Sequence, residues 1–190
     1  MTQSVMIVSC INKETAFFIE MLNLASINQV AALHSCAEAR RFLLERDFDL
    51  VIINTPLRDE SGESLARNIA SKGTSQVIIS VKEEHFDAVS SVCEEDGILV
   101  IAKPLSRHSF WPALTLAKSA QNRLKRIQAE NEKLKQKVED IRIINRAKWI
   151  LISYMNMSEI QAHKHIEKHA MDTRTSRREV AEKILKTYDN

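Results

Sequence analysis

Ser9, Cys10, Asn54, Ser80 and Lys103 lie at or near the ends of four short apolar runs, Val5 to Val8, Leu50 to Ile53, Val77 to Val81 and Ile98 to Ala102. Together they offer hydroxyls, a thiol, an amide and an ammonium, but no carboxylate. Such a set can hydrogen-bond an anion, whereas a hard cation such as Mg²⁺ requires anionic oxygens. The amide oxygen of Asn54 is also neutral and a far weaker nucleophile than a carboxylate. Asp59 and Glu60 follow in the loop beyond Pro56 and read as solvated charges. Lys103 is expected to hydrogen-bond Asn54 or a loop carbonyl. At the other end of the chain, Arg174, Arg177 and Arg178 flank the predicted start of a helix, where free N–H groups and the positive dipole end favour phosphate. His163, His165 and His169 lie nearby, with His165 and His169 one helical turn apart. No third ligand of fitting geometry accompanies them, so no metal and no other cofactor is expected.

The elements that place these groups follow from hydrophobic pattern. The apolar runs, with a weaker one at Gln29 to Leu33, alternate with helically spaced stretches such as Thr15 to Ser26 and Ala37 to Glu45. Buried strands alternating with helices predict an α/β fold, a parallel sheet covered on both faces, with functional groups at the carboxyl ends of its strands. Only Gly62, Gly73 and Gly97 occur, so there is no glycine-rich phosphate cradle. From Ala120 no proline or glycine interrupts a helix before Met155. Within it Leu124, Asn131, Val138 and Asn145 take a positions of a heptad, and Ile127, Leu134 and Ile141 take d positions. That seam predicts a parallel dimer, with asparagine at a setting register.

The remaining sequence predicts further helices. Ala147, Ile150, Leu151 and Tyr154 form one apolar stripe; Ile160, Ala162, Ile166 and Ala170 a second; Val180, Ala181, Ile184 and Leu185 a third. Ser158 with Gln161 and Ser176 with Glu179 are capping pairs that would open the last two helices. Small helices of this kind are expected to fold back on the end of the coil and to leave Arg146, Lys148, Lys164, Lys168, Arg174, Arg177 and Arg178 outward.

Charge divides along the same line. Of the 190 residues, the first 120 carry 11 Lys+Arg against 15 Asp+Glu, and the rest carry 16 against 10, so a body of net −4 precedes a tail of net +6. A basic tail favours a polyanion partner. Cys10, Cys36 and Cys93 are odd in number and form no CxxC pair, as expected of reduced thiols in a cytoplasmic protein. No apolar stretch approaches the roughly 20 residues of a membrane span.

Two resemblances sharpen this reading. Residues 1–117, by strand order, the "VII" before Ser80 and "VIAKPLS" around Lys103, resemble a response-regulator receiver domain with a flavodoxin-like, five-stranded parallel sheet. Position by position, Ser80 and Lys103 match the family's phosphate-reading hydroxyl and lysine. Ser9 and Cys10 replace its Mg²⁺-binding acidic pair, and Asn54 replaces its phosphoacceptor. The family's chemistry is therefore expected to be lost, giving a pseudo-receiver, not an enzyme, that receives its input from a sensor protein or a ligand. The segment "AKWILISYMNMSEIQAHKHIEKHAMDTRTSRREVAEKIL" resembles an ANTAR domain, the three-helix RNA-binding module of bacterial antiterminators.

The whole chain thus resembles regulators of the aliphatic-amidase type, with a body at 1–117, a coiled-coil dimerisation helix at 118–145 and an ANTAR module at 146–190. This resemblance implies dimeric binding to hairpins in the leader of a messenger RNA. Lys148, Arg174, Arg177 and Arg178 would contact phosphates and loop, with Arg146 and Ser176 in support. The alternative is a DNA-binding transcription factor, because the same tail has helix-turn-helix rhythm.

Overall fold

A computed structural model describes residues 3–188. Five parallel strands, β1 (Ser4–Ser9), β2 (Gln29–Leu33), β3 (Leu50–Asn54), β4 (Gln76–Lys82) and β5 (Leu99–Lys103), form one sheet in the order β2-β1-β3-β4-β5. Helices α1 (Asn12–Leu24), α2 (Cys36–Glu45), α3 (Glu63–Ser71) and α4 (Phe86–Cys93) fill the crossovers, with a 3-10 turn at Glu83–His85 before α4. The receiver-like α/β expectation holds. Helix α5 (Arg107–Met155) follows β5, and α6 (Glu159–Thr173) and α7 (Arg177–Tyr188) complete the chain.

Strand alternation sorts the apolar runs onto the two sheet faces, since successive side chains point to opposite sides. Val5, Ile7, Leu50, Ile52 and Ile78 meet Phe18 and Leu22 of α1 and Phe110, Leu114 and Ala117 of α5. Met6, Val8, Val51, Ile53 and Ile79 meet Cys36 and Ala39 of α2, Leu65 and Ile69 of α3 and Val89 of α4. The rings of Phe17, Phe18 and Phe110 pack edge to face, with Phe18 and Phe110 5.2 Å apart. Register then sets Ser9 beside Asn54 and Asn54 beside Ser80, which brings three polar strand ends into one row. Gly62 turns the chain into α3 at φ +89°, where a Cβ would lie 2.9 Å from Ile53 Cγ2. An L side chain is excluded there by both strain and contact.

The chain divides into two compact units, residues 1–126 and 127–190. Helix α5 begins at Arg107, earlier than the Ala120 expected from the absence of proline, and accommodates Pro112 close to its start. The missing N–H of Pro112 removes one bond near the helix end, where packing of Phe110, Leu114 and Ala117 on the sheet compensates. The helix remains tied to the first unit as far as Lys125, which pairs with Asp49, while Gln121 Nε2 donates to the Thr74 carbonyl at 3.0 Å. Asp49 also accepts from the Ser4 amide at 3.0 Å.

In the second unit Ala147 and Leu151 of α5 pack with Ala162, Ile166 and Ala170 of α6 and Val180 and Ala181 of α7. The helices thus fold back on the coil end as expected. The Ser158–Gln161 capping box is complete, with Ser158 N donating to Gln161 Oε1 at 2.8 Å and Gln161 N to Ser158 Oγ at 3.3 Å. Two stripe assignments need correction: Ile160 and Tyr154 are each 70% exposed. Ile160 lies in the first turn of α6, off the face defined by Ala162, Ile166 and Ala170. Among the described residues no helix is long and apolar enough to cross a membrane.

Burial alone raises the Asp49 carboxyl, but the Lys125 ammonium, the Ser4 amide and Gln121 outweigh it, so its pKa lies below the ordinary value. The stability it contributes is present above about pH 3.9, the unfolded value, and is lost as pH falls through the lower folded value. Asp49→Asn is expected to destabilise the first unit by about 1–2 kcal/mol at neutral pH. Urea denaturation across pH should also show a shallower loss on acidification for the variant than for the parent.

Candidate signalling site and nucleic-acid interface

The three-strand row is a closed hydrogen-bond network. Ser80 Oγ donates to Asn54 Oδ1 at 2.6 Å, and Asn54 Nδ2 donates to Ser9 Oγ at 2.9 Å and to Glu14 Oε2 at 2.6 Å. Ser9, Asn54 and Ser80 are all buried. Lys103 Nζ, from the end of β5, reaches the same Glu14 oxygen at 2.8 Å. Sequence reasoning missed Glu14. It stands in the first turn of α1, four residues beyond Cys10, which follows β1, and has the pattern of an ordinary helix-surface acid. The site is thus not devoid of carboxylate, and Lys103 pairs with Glu14 instead of Asn54 or a loop carbonyl.

Neighbouring groups are also engaged. Cys10 Sγ points to the Pro56 carbonyl at 3.1 Å. Asp59, expected to be solvated, caps α2 by accepting from Ala37 N at 3.0 Å and Cys36 N at 3.2 Å. The Ala37 amide, against a small burial penalty, holds the Asp59 carboxyl below its ordinary range. Glu60 forms a two-pronged pair with Arg40, one prong at 2.9 Å. Cys36, Asp59 and Glu60 come close enough together to suggest a metal cluster. Burial first and the two carboxylates next push the Cys36 thiol up to about 11.

In the second unit Arg174, Ser176, Arg177 and Arg178 gather at the α6–α7 joint, whereas Arg146 and Lys148 lie on α5, with Lys148 beside the opposite end of α6. Arg174 is exposed and ends α6 in the left-handed region at φ 52°. Among the described residues no acid lies within ion-pair distance of it. Ser176 caps α7, accepting from Glu179 N at 3.2 Å and donating to Glu179 Oε1 at 3.1 Å. Arg177 pairs with Glu167 at 3.1 Å. Arg178 holds Asp140 at 2.7 Å and Glu182 at 2.8 Å. Gln136 and then Arg178 keep the Asp140 carboxyl below its ordinary value. Lys148 pairs with Glu159 at 3.2 Å, and its side chain is only 16% exposed, so it is less outward than expected. Arg146 is exposed and has a partner of its own. An exposed ion pair is worth about 0–1 kcal/mol, so a phosphate can displace Glu167 from Arg177, while Arg178 is half-buried between its two acids.

The seam residues of α5 differ along its length. Leu124 is half-buried in the first unit. Ile127, Leu134, Val138 and Ile141 are 48–58% exposed, and Asn131 is exposed with them.

A parallel receiver sheet whose acid positions hold Ser9, Cys10 and Asn54, followed by a compact helical module, defines a response-regulator-type protein. Comparison with known proteins extends that assignment. An ANTAR domain matches residues 132–185, within the second unit. The transcriptional regulatory protein PdtaR of Mycobacterium tuberculosis is 30% identical over 139 residues, 73% of this chain and 68% of the relative. The aliphatic amidase regulator of Pseudomonas aeruginosa is 23% identical over 136 residues, 71% of this chain and 69% of that protein. Among solved structures, the CheY-like response-regulator receiver domain from Methylobacillus flagellatus superposes with a TM-score of 0.53 at 22% identity, covering 62% of this chain and 99% of that domain. The chain belongs to the ANTAR transcriptional regulators, RNA-binding antitermination proteins in the form that couples the module to a receiver domain.

The Glu14–Lys103 pair can be tested by a double-mutant cycle. Glu14→Ala should cost the first unit about 1–3 kcal/mol by leaving the Lys103 ammonium and the Asn54 amide without their acceptor. Adding Lys103→Met should restore part of that loss in thermal or urea denaturation; strict additivity would show that the pair is not coupled.

Proposed function

We propose that the chain works as a dimer that captures hairpins in the leader of a messenger RNA, and that its receiver-like body takes its input by contact with a sensor protein or a ligand, not by aspartyl phosphorylation. The observation that carries this reading is the coincidence of the ANTAR match with the compact basic module at the end of the chain. Residues 1–117 serve as the receptor body, 118–145 as the dimerisation helix and 146–190 as the RNA-binding part. The exposed seam from Ile127 to Ile141 supports a two-stranded coil, because apolar side chains repeating at a and d lose their exposure against a second copy. Two modules on one dimer make capture of a second hairpin effectively intramolecular.

Lys148, Arg174, Arg177 and Arg178 contact phosphates and loop, with Arg146 and Ser176 in support. Hairpin loops present unstacked bases and phosphates, which suits a surface of arginines and exposed rings. The closed network of Glu14, Asn54, Ser80 and Lys103 supports an input without phosphoryl transfer, since the lysine is already neutralised and the strand-end acceptor is an amide.

The rival reading is a DNA-binding factor using α6 and α7 as a helix-turn-helix. Side-by-side binding of the full chain to leader-RNA hairpins and to promoter duplex at one salt concentration separates the two. RNA should bind more tightly, and Arg174→Ala should weaken it and reduce the salt slope by about 1. Tighter, sequence-selective binding to duplex DNA would overturn the reading.

A further inference from the structure

We propose that the second unit holds a slot for a single unstacked nucleobase, formed at the far end of α7 from Arg177 and Arg178. It rests on the RNA reading above and assigns a second contact to the same RNA. The slot is a cavity of about 240 Å³ whose rim includes Met155, His165, His169, Lys183, Thr187 and Tyr188. Its volume falls below the roughly 300 Å³ at which sites for drug-sized ligands begin. One flat ring system suits it better than a larger cofactor.

The lining has the chemistry of base recognition. The rings of His165 and His169 are 6.1 Å apart and tilted by 61°, one helical turn apart on α6. The Tyr188 ring lies 5.8 Å from that of Tyr154, and its hydroxyl reaches Met155 Sδ at 4.0 Å. Tyr154 is 70% and Tyr188 37% exposed, so these rings are not consumed by the core. Aromatic and imidazole faces stack any base, and methionine sulfur packs well against ring edges. Lys183 supplies a donor for base-edge oxygens or ring nitrogens. Thr187 Oγ1 spends its proton on the Lys183 carbonyl at 2.9 Å and keeps lone pairs for an exocyclic amine.

Lys183 follows Arg177 by six residues on α7, about 9 Å along a helix. One helix therefore presents phosphate-binding arginines at its start and the base slot beyond them. This arrangement gives the two otherwise idle histidines a role, with no metal required.

The test uses the full chain and a hairpin RNA selected for binding from a pool with a randomised loop, with each loop position then replaced by an abasic residue. One abasic position should weaken wild-type binding roughly tenfold, the loss expected for a stacked base. Tyr188→Ala should weaken binding of the intact hairpin by a similar factor, Tyr188→Phe should retain it, and His165→Ala should behave as Tyr188→Ala. The decisive result is non-additivity: Tyr188→Ala should lose nothing more at that abasic position, while still responding to the others. Unchanged binding by Tyr188→Ala and His165→Ala, or additive losses at every position, would overturn the slot and leave RNA binding intact. A pool that yields no RNA bound by the chain would overturn both.

Discussion

One carboxylate organises the receiver-like body. Glu14 Oε2 accepts from Asn54 Nδ2 at 2.6 Å and from Lys103 Nζ at 2.8 Å, and it unites two groups that the strands alone would leave apart. The amide at position 54 is what this arrangement requires. An aspartate there would set a second negative charge against Glu14 and could not donate, whereas asparagine donates to Glu14 and Ser9 while accepting from Ser80. The residue that resembles a loss in the family pattern is therefore chemically matched to Glu14. A partly enclosed ammonium is neutralised without phosphate, and the buried polar atoms of Asn54 and Ser80 are satisfied.

The second unit depends on a different balance. Its core is built largely from small and branched residues, Ala147, Leu151, Ala162, Ile166, Val180 and Ala181, shared among α5, α6 and α7. Its cations are distributed unevenly. Arg177 sits in an exposed pair with Glu167 and Arg178 in half-buried pairs with Asp140 and Glu182, while Arg174 projects from the left-handed end of α6. Weak pairs of this kind hold side chains in place without consuming much binding energy, so a polyanion replaces one set of charged hydrogen bonds by another.

Much of the fold was legible because it is written locally. Apolar runs of four or five residues separated by amphipathic stretches specify the parallel sheet, and Ser158 three residues before Gln161 specifies a helix start that forms as a complete capping box. What escaped was non-local. Nothing in the spacing of Glu14 announces that its side chain meets Lys103, 89 residues away. Asp59 looked solvated because its partners are backbone amides at the start of α2. The arginines were recognised as a cluster, but their acids Asp140 and Glu167 lie on other helices. The stripe of Ile160, Ala162, Ile166 and Ala170 is imperfectly spaced at its first member, and Ile160 falls off the buried face of α6. Helix α5 begins before the proline-free stretch from Ala120 because packing of Phe110, Leu114 and Ala117 on the sheet holds its first turns despite Pro112.

The most direct test of the central claim is intact-mass measurement of the wild-type chain after incubation with Mg²⁺ and a small-molecule phosphoryl donor. A body closed by Glu14 and carrying Asn54 should show an unchanged mass. A phosphoryl adduct of about +80 Da that maps to the segment from Asp49 to Gly62 would contradict it.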